Sequence, residues 1–171
     1  EVCLYTDSPR FDDLSARMRE QVGAWFDVRD QSDEQLVQFA RSHHLDVAID
    51  GAGHTRGNRL RTLAARVAPV QVLWGGYTGT TGVPAIDYVL ADPFHVRQGD
   101  EAHFSEKVIR LPDDYVCYAP PEYAPPVGPL PAARAGYVTF GGFHNAAKIG
   151  PSSLALWSKV LLSVPGSRLV L

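Results

Sequence analysis

Cysteine is scarce in this 171-residue chain, and Cys3 and Cys117 stand too far apart to read as a disulfide framework or a zinc site. The plain expectation is reduced thiols in a cytoplasmic protein. Charge of one sign is lacking as well: 16 basic residues against 19 acidic ones give a formal charge of −3. That balance leaves no electrostatic footprint for nucleic acid, so none is expected as a partner. No uninterrupted apolar run approaches the roughly 18 to 20 residues of a membrane helix, and no membrane partner is expected either. The sequence shows no initiator methionine, signal peptide or transit peptide. The Walker pattern and the dinucleotide fingerprint are also missing. What is present is 45% apolar residues, enough for a real core in one ordinary domain or two small halves.

Short apolar runs alternate with amphipathic stretches, the pattern of a parallel sheet wrapped by helices. The chain opens on a strand-like run, residues 1–5, and closes on another, residues 168–171. A strand left without neighbours exposes backbone donors, so the ends read as those of a piece excised from a longer protein. The other reading is a natural chain whose terminal strands complete a sheet. Leu14, Met18, Val22 and Trp25 recur at helical spacing and are expected on one helix face. Ser32 and Gln35 form a capping box, and the helix after it turns Leu36, Phe39 and Ala40 inward until about His43. Residues 47–49 read as a short buried strand, 59–66 as a helix closed off by Pro69, and 70–74 as the next strand. Residues 88–90 and 108–111 are two more strand candidates. Trp25, Trp74 and Trp157 read as core.

Residues 119–135 carry six prolines, too many for a helix or central strand, and are expected to form a linker. Residues 1–118 then make part of one Rossmann-like lobe. Residues 136–171 make the first βαβ unit of a second: a strand at 137–140, a helix from Pro151 to about Leu162, a turn at Pro165 and Gly166, and a last strand. Pro151 suits the first helical position, where its missing donor costs nothing.

In open α/β sheets, ligands bind beyond the carboxyl ends of the strands, and three glycine-rich loops sit at such ends. Residues 51–58 bring His54, Thr55 and Arg56, with Arg59 following. Residues 75–82 bring four glycines, three threonines and Tyr77. Residues 141–148 end in Lys148 just before a helix, where an ammonium group can face a phosphate that the helix dipole also favours. Glycine-rich turns after strands are common, so each loop could equally be plain connection. Lys148 could be a solvated first-turn residue, and His54 a hydrogen-bonded structural histidine. No carboxylate or second histidine stands at ligand spacing to His54, so no metal is assigned. His43 and His44 read as a polar helix end, His95 and His103 as loop surface. Asp46, Asp50, Asp87 and Asp92 border strands without pairing as an acid/base couple.

The run LDVAID into GAGHTRGNRL, then APVQVLWGGY, TGTTG, Ile86-Asp87-Tyr88, Ala91-Asp92-Pro93 and Ser105-Glu106-Lys107, resembles the catalytic region of the O-linked N-acetylglucosamine transferase and Spindly family. The likeness resumes after the prolines with FGGFHNAAKIGPSSLALWSKVLLSVPGSRLVL, so it covers nearly the whole chain. It implies the GT-B arrangement, two facing Rossmann-like lobes with the nucleotide-sugar in the cleft. It also implies metal-independent, inverting transfer of a sugar from a nucleotide diphosphate to a protein Ser/Thr hydroxyl.

By that resemblance Lys148 contacts the donor diphosphate and stabilises the leaving group, the one catalytic role assigned within this chain. Asn145, Phe143, Arg59 and His54 are implied in nucleotide-sugar binding. Thr55, Gly76, Tyr77, Gly79 and Thr80 are implied along the sugar and acceptor cleft. His54, in its GHT setting, resembles bacterial members. The donor implied is UDP-N-acetylglucosamine, with GDP-fucose as the alternative; the partners are a protein acceptor and an upstream array of helical repeats. Four positions depart from the family pattern: Thr78 where proline is usual, Gly75 where leucine is common, His144 for asparagine and Ala146 for a larger apolar residue. The family's catalytic histidine, in a His-Pro motif, falls upstream of Glu1, and its nucleotide-clamping His-Thr-Thr falls downstream of Leu171. The isolated 171 residues are therefore expected to be inactive. A non-catalytic binding or scaffold module that keeps the fold is the reading from another class.

Overall fold

Parallel pairing runs through every sheet of the computed structural model, which describes residues 1–171. The chain divides into two units, Glu1–Tyr118 and Ala119–Leu171. The fold is thus α/β with parallel sheets throughout.

In the first unit, β1 (Cys3–Thr6) pairs with β2 (Ala24–Asp27) across α1 (Asp13–Gln21). Asp12 caps α1 by accepting the Ser15 N–H at 2.9 Å. The helical spacing that seemed to reach Trp25 stops earlier: Val22 is already extended, Gly23 follows, and Trp25 lies in β2. A period of three to four over so short a span cannot separate a helix from a helix plus a strand. The capping box opens α2 (Asp33–Ser42) as expected, with Ser32 Oγ accepting from Gln35 N and Gln35 Oε1 accepting from Ser32 N at 2.9 Å.

A four-stranded sheet follows, ordered β3 (Val47–Asp50), β4 (Val70–Leu73), β5 (Tyr88–Ala91) and β6 (Lys107–Arg110). The helix α3 (Leu60–Ala64) crosses from β3 to β4. One face carries the core: Leu73 and Val89 pack with Val37 and Ala40 of α2, Leu60 and Leu63 of α3, Val67 and Ile86. Leu73 is wholly buried, and burial of such a side chain stabilises by roughly 2–3 kcal/mol. Gln71 is the polar exception, also fully buried. Its Oε1 accepts from Val67 N, and its Nε2 donates to the carbonyls of Leu63 and Ala85 at 2.8 and 2.7 Å, so every polar atom of the amide has a partner. β3 is not the buried strand its composition suggested. It lies at one edge of its sheet, where Ala48 and Asp50 face inward and Val47 and Ile49 are exposed. The three tryptophans are likewise half-buried rather than core.

The second unit contains a short helix the prolines seemed to forbid, α4 (Pro131–Ala135). Pro131 takes the first helical position, where a proline lacks only a donor that would have had no partner, and Gly136 ends the helix with positive φ. Beyond it, β7 (Thr139–Gly141) and β8 (Arg168–Val170) pair in parallel across α5 (Pro151–Ser163). Phe140, Trp157, Val160 and Leu169 line an apolar cavity of about 190 Å³ between them.

Candidate functional site

The loops at residues 51–58 and 75–82 leave the carboxyl ends of the neighbouring strands β3 and β4, and their backbones lock together. A Cβ on Gly76 would overlap the Gly51 carbonyl oxygen, and one on Gly53, which has φ +52°, would overlap Tyr77. Glycine at both positions is thus required by close approach. The His54 ring meets Tyr77 edge-on with centroids 5.3 Å apart. Asp50 braces the first turn by accepting from Ala52 N and Gly53 N.

Three side chains from outside the second loop then hold it. His54 Nε2 lies 2.8 Å from the Thr81 carbonyl oxygen and His95 Nε2 lies 2.6 Å from that of Thr78. A carbonyl only accepts, so both ring nitrogens carry the proton. The Glu106 carboxylate, 3% exposed, accepts from Thr80 Oγ1 and from Thr81 N, each at 2.7 Å, and from Thr81 Oγ1. Burial pushes this carboxyl up, but the bonds from Thr81 and Thr80 outweigh it and hold the group below the usual carboxylate range.

His95 is itself fixed. Its ring stacks on Tyr115 at 4.4 Å, Trp74 Nε1 donates to the Tyr115 carbonyl, and Asp92 accepts from the backbone of Phe94, His95 and Tyr115. His95, expected on the loop surface, is half-buried and held in one orientation. Glu106 was visible only as one letter of a motif. A lone glutamate just ahead of a short strand was the available signal, and it carried no indication of which turn it would meet.

The remaining residues named from sequence fall in different settings. Thr55 is exposed and donates locally to the Ala52 carbonyl. Gly76, Tyr77, Gly79 and Thr80 lie together on the second loop, but Thr80's hydroxyl is taken by Glu106 and Ser105. Arg59 is committed within the protein. Its Nε and Nη2 grip Asp7 at 2.9 and 2.8 Å, Nη1 donates to the Gln31 carbonyl and to Asp33, and Nη2 also donates to the Val28 carbonyl. The hydrogen bond to Asp7, first, raises its pKa above the ordinary arginine value. A cleft of about 450 Å³ opens beside it, lined by Asp7, Arg29, Gly57 and Asn58.

In the second unit, Asn145 Oδ1 accepts from Ala147 N, which leaves its amide NH2 free. Phe143 is 94% exposed, and Lys148, at the end of a short 3-10 turn, is exposed and enters none of the ion pairs. No group of three or more His, Cys, Asp or Glu side chains is arranged to hold a metal ion, and no helix is long and apolar enough to cross a membrane.

Residues 29–118 match glycosyl transferase family 41. The chain is 39% identical over 174 residues to the probable UDP-N-acetylglucosamine–peptide N-acetylglucosaminyltransferase SPINDLY of Arabidopsis thaliana, with 99% of this chain and 19% of that protein covered. It is 29% identical over 168 residues to the probable enzyme SEC of the same plant, covering 90% of this chain and 16% of that one. A mutant of the Thermobaculum terrenum O-GlcNAc transferase superposes with a TM-score of 0.89 at 36% identity, over 99% of this chain and 32% of the other. The chain spans about a fifth of the length of the curated relatives it matches.

Proposed function

Because this chain belongs to glycosyl transferase family 41, we propose that it serves in an inverting transferase that moves N-acetylglucosamine from UDP-N-acetylglucosamine to protein Ser/Thr hydroxyls. The observation that carries the reading is the 0.89 superposition on an O-GlcNAc transferase at 36% identity. Lys148 supplies the reacting charge. An exposed ammonium group with no ion-pair partner in the chain, three residues before α5, neutralises the diphosphate as the glycosidic bond breaks, and the α5 dipole adds to it. The free amide NH2 of Asn145 donates to the nucleotide, and Phe143 offers an aromatic face to it. In the first unit, Thr55, Gly76, Tyr77 and Gly79 border sugar and acceptor, with His54 beside them.

No metal takes part in this scheme, since Lys148 provides the positive charge that a divalent ion supplies elsewhere. Arg59 acts on the nucleotide-sugar only by fixing the first loop, because all its donors are engaged. The protein acceptor, an upstream helical-repeat array and a cytoplasmic location complete the proposal. GDP-fucose is kept as the alternative donor that the resemblance to the Spindly branch implies, although the matched relatives are named for UDP-N-acetylglucosamine. Calorimetric titration of the intact protein with UDP and with GDP tests the site. Lys148→Ala weakens binding of the preferred nucleotide about tenfold or more; unchanged affinity removes the role given to Lys148.

A further inference from the structure

We propose that Glu106 and His95, with His54, are positioning residues: together they clamp the turn at residues 75–82 so that Gly76 and Tyr77 present a fixed edge to the sugar and acceptor. The inference rests on the transferase reading for its chemical consequence but on geometry alone for the clamp. The turn needs holding. It contains four glycines in eight residues, with positive φ at Gly75 and Gly82, and Thr78 supplies no ring to fix its own φ. Its own backbone bonding is sparse, and side chains close the gap. His95 anchors the Thr78 carbonyl, His54 the Thr81 carbonyl, and Glu106 the Thr81 N–H and two hydroxyls.

The three anchors come from three separate stretches of chain: the loop after β3, the turn after β5 and the residue before β6. Each is braced in turn, His54 by Tyr77, His95 by Tyr115, and Glu106 by its place directly ahead of β6. Glu106 also has no cation against it; no Arg or Lys pairs with it. A buried carboxylate whose only partners are one turn's donors is a costly way to fill space, and its charge strengthens the bonds it accepts. Thr80 follows from the same geometry. Its hydroxyl is held toward Glu106 and Ser105, so it serves the clamp rather than touching the sugar.

Hydrogen exchange on the intact protein, resolved at the Thr81 amide, is the test, run beside transfer kinetics. Glu106→Ala should speed exchange at Thr81 by about tenfold or more, with Glu106→Gln intermediate because its carbonyl can still accept from Thr81 N. Amides of α2 should keep their protection, which separates a loosened turn from general unfolding. His95→Phe keeps the stack on Tyr115 but removes the donor to Thr78, and it should likewise free the turn. In all three variants transfer should fall by about tenfold to a hundredfold in kcat/KM for the acceptor, while UDP affinity stays within about twofold. Unchanged exchange at Thr81 in Glu106→Ala would overturn the clamp. So would a freed turn with undiminished transfer. Absence of transfer in the unsubstituted protein would count against the transferase reading alone, because the exchange result decides the clamp without it.

Discussion

Replacing Arg59 by methionine should destabilise the first unit by about 2–4 kcal/mol, and the structure indicates where that loss arises. The guanidinium makes five hydrogen bonds: two to Asp7, one to Asp33, and one each to the carbonyls of Val28 and Gln31. It thereby ties the segment after β1, the turn after β2 and the start of α2 to the residue that caps α3. Exposed ion pairs contribute about 0–1 kcal/mol, whereas removing one partner of a buried pair costs about 3–5 kcal/mol. Arg59 lies between these cases, its side chain 23% exposed and those of Asp7 and Asp33 31% and 28%. Two carboxylates left half-buried without their cation, and the lost packing of the aliphatic stem, give the intermediate figure. Urea denaturation of the variant and the unsubstituted chain measures it. Arg59→Lys should recover at most about half, because one ammonium cannot reach two carboxylates and two carbonyls in the planar fork arginine offers. A loss under about 0.5 kcal/mol for Arg59→Met, joined with abolished nucleotide binding, would refute the reasoning and return Arg59 to direct donor contact.

Two other perturbations probe neighbouring parts of the account. Gly76→Ala forces a methyl into the Gly51 carbonyl and should cost about 1–3 kcal/mol of stability in the same denaturation assay; a neutral effect would mean the two loops are not interlocked. Asp87, held by Arg66 and accepting from Gln71 N, has a carboxyl lowered from its ordinary value, chiefly by the Arg66 hydrogen bond. Its stabilisation is therefore fully present above the unfolded value of about 4 and is lost as pH falls through the lower folded one. Thermal melts should show Asp87→Asn most destabilised relative to the parent near neutral pH, with the difference shrinking below about pH 4. A difference that grows on acidification would contradict the sign.

Local signals in the sequence were enough for the elements whose causes are local. The Ser32–Gln35 box opens α2 because both partners lie within one helical turn, and Pro151 starts α5 for the same reason. Proline counting misjudged residues 131–135, since what matters is the position of a proline in a helix rather than the number nearby. Trp25 and the exposed Val47 and Ile49 depended on which strand neighbours which, and composition does not carry that. The candidate site divides the same way. Glycine-rich loops after strands could be read directly, as could Lys148 ahead of α5. The commitments of Arg59 to Asp7, 52 residues away, and of Glu106 to Thr80 and Thr81, about 25 away, could not, because only the folded chain brings those groups together.

Transfer of labelled sugar to protein hydroxyls is the most direct measurement of the central claim. The intact protein, with a chelator present, is incubated with UDP-N-acetylglucosamine or GDP-fucose and a Ser/Thr-containing acceptor protein. The account predicts incorporation of label on Ser/Thr from one of the two donors, insensitive to the chelator and lowered in Lys148→Ala. No incorporation from either donor, with both nucleotides failing to bind, would contradict it.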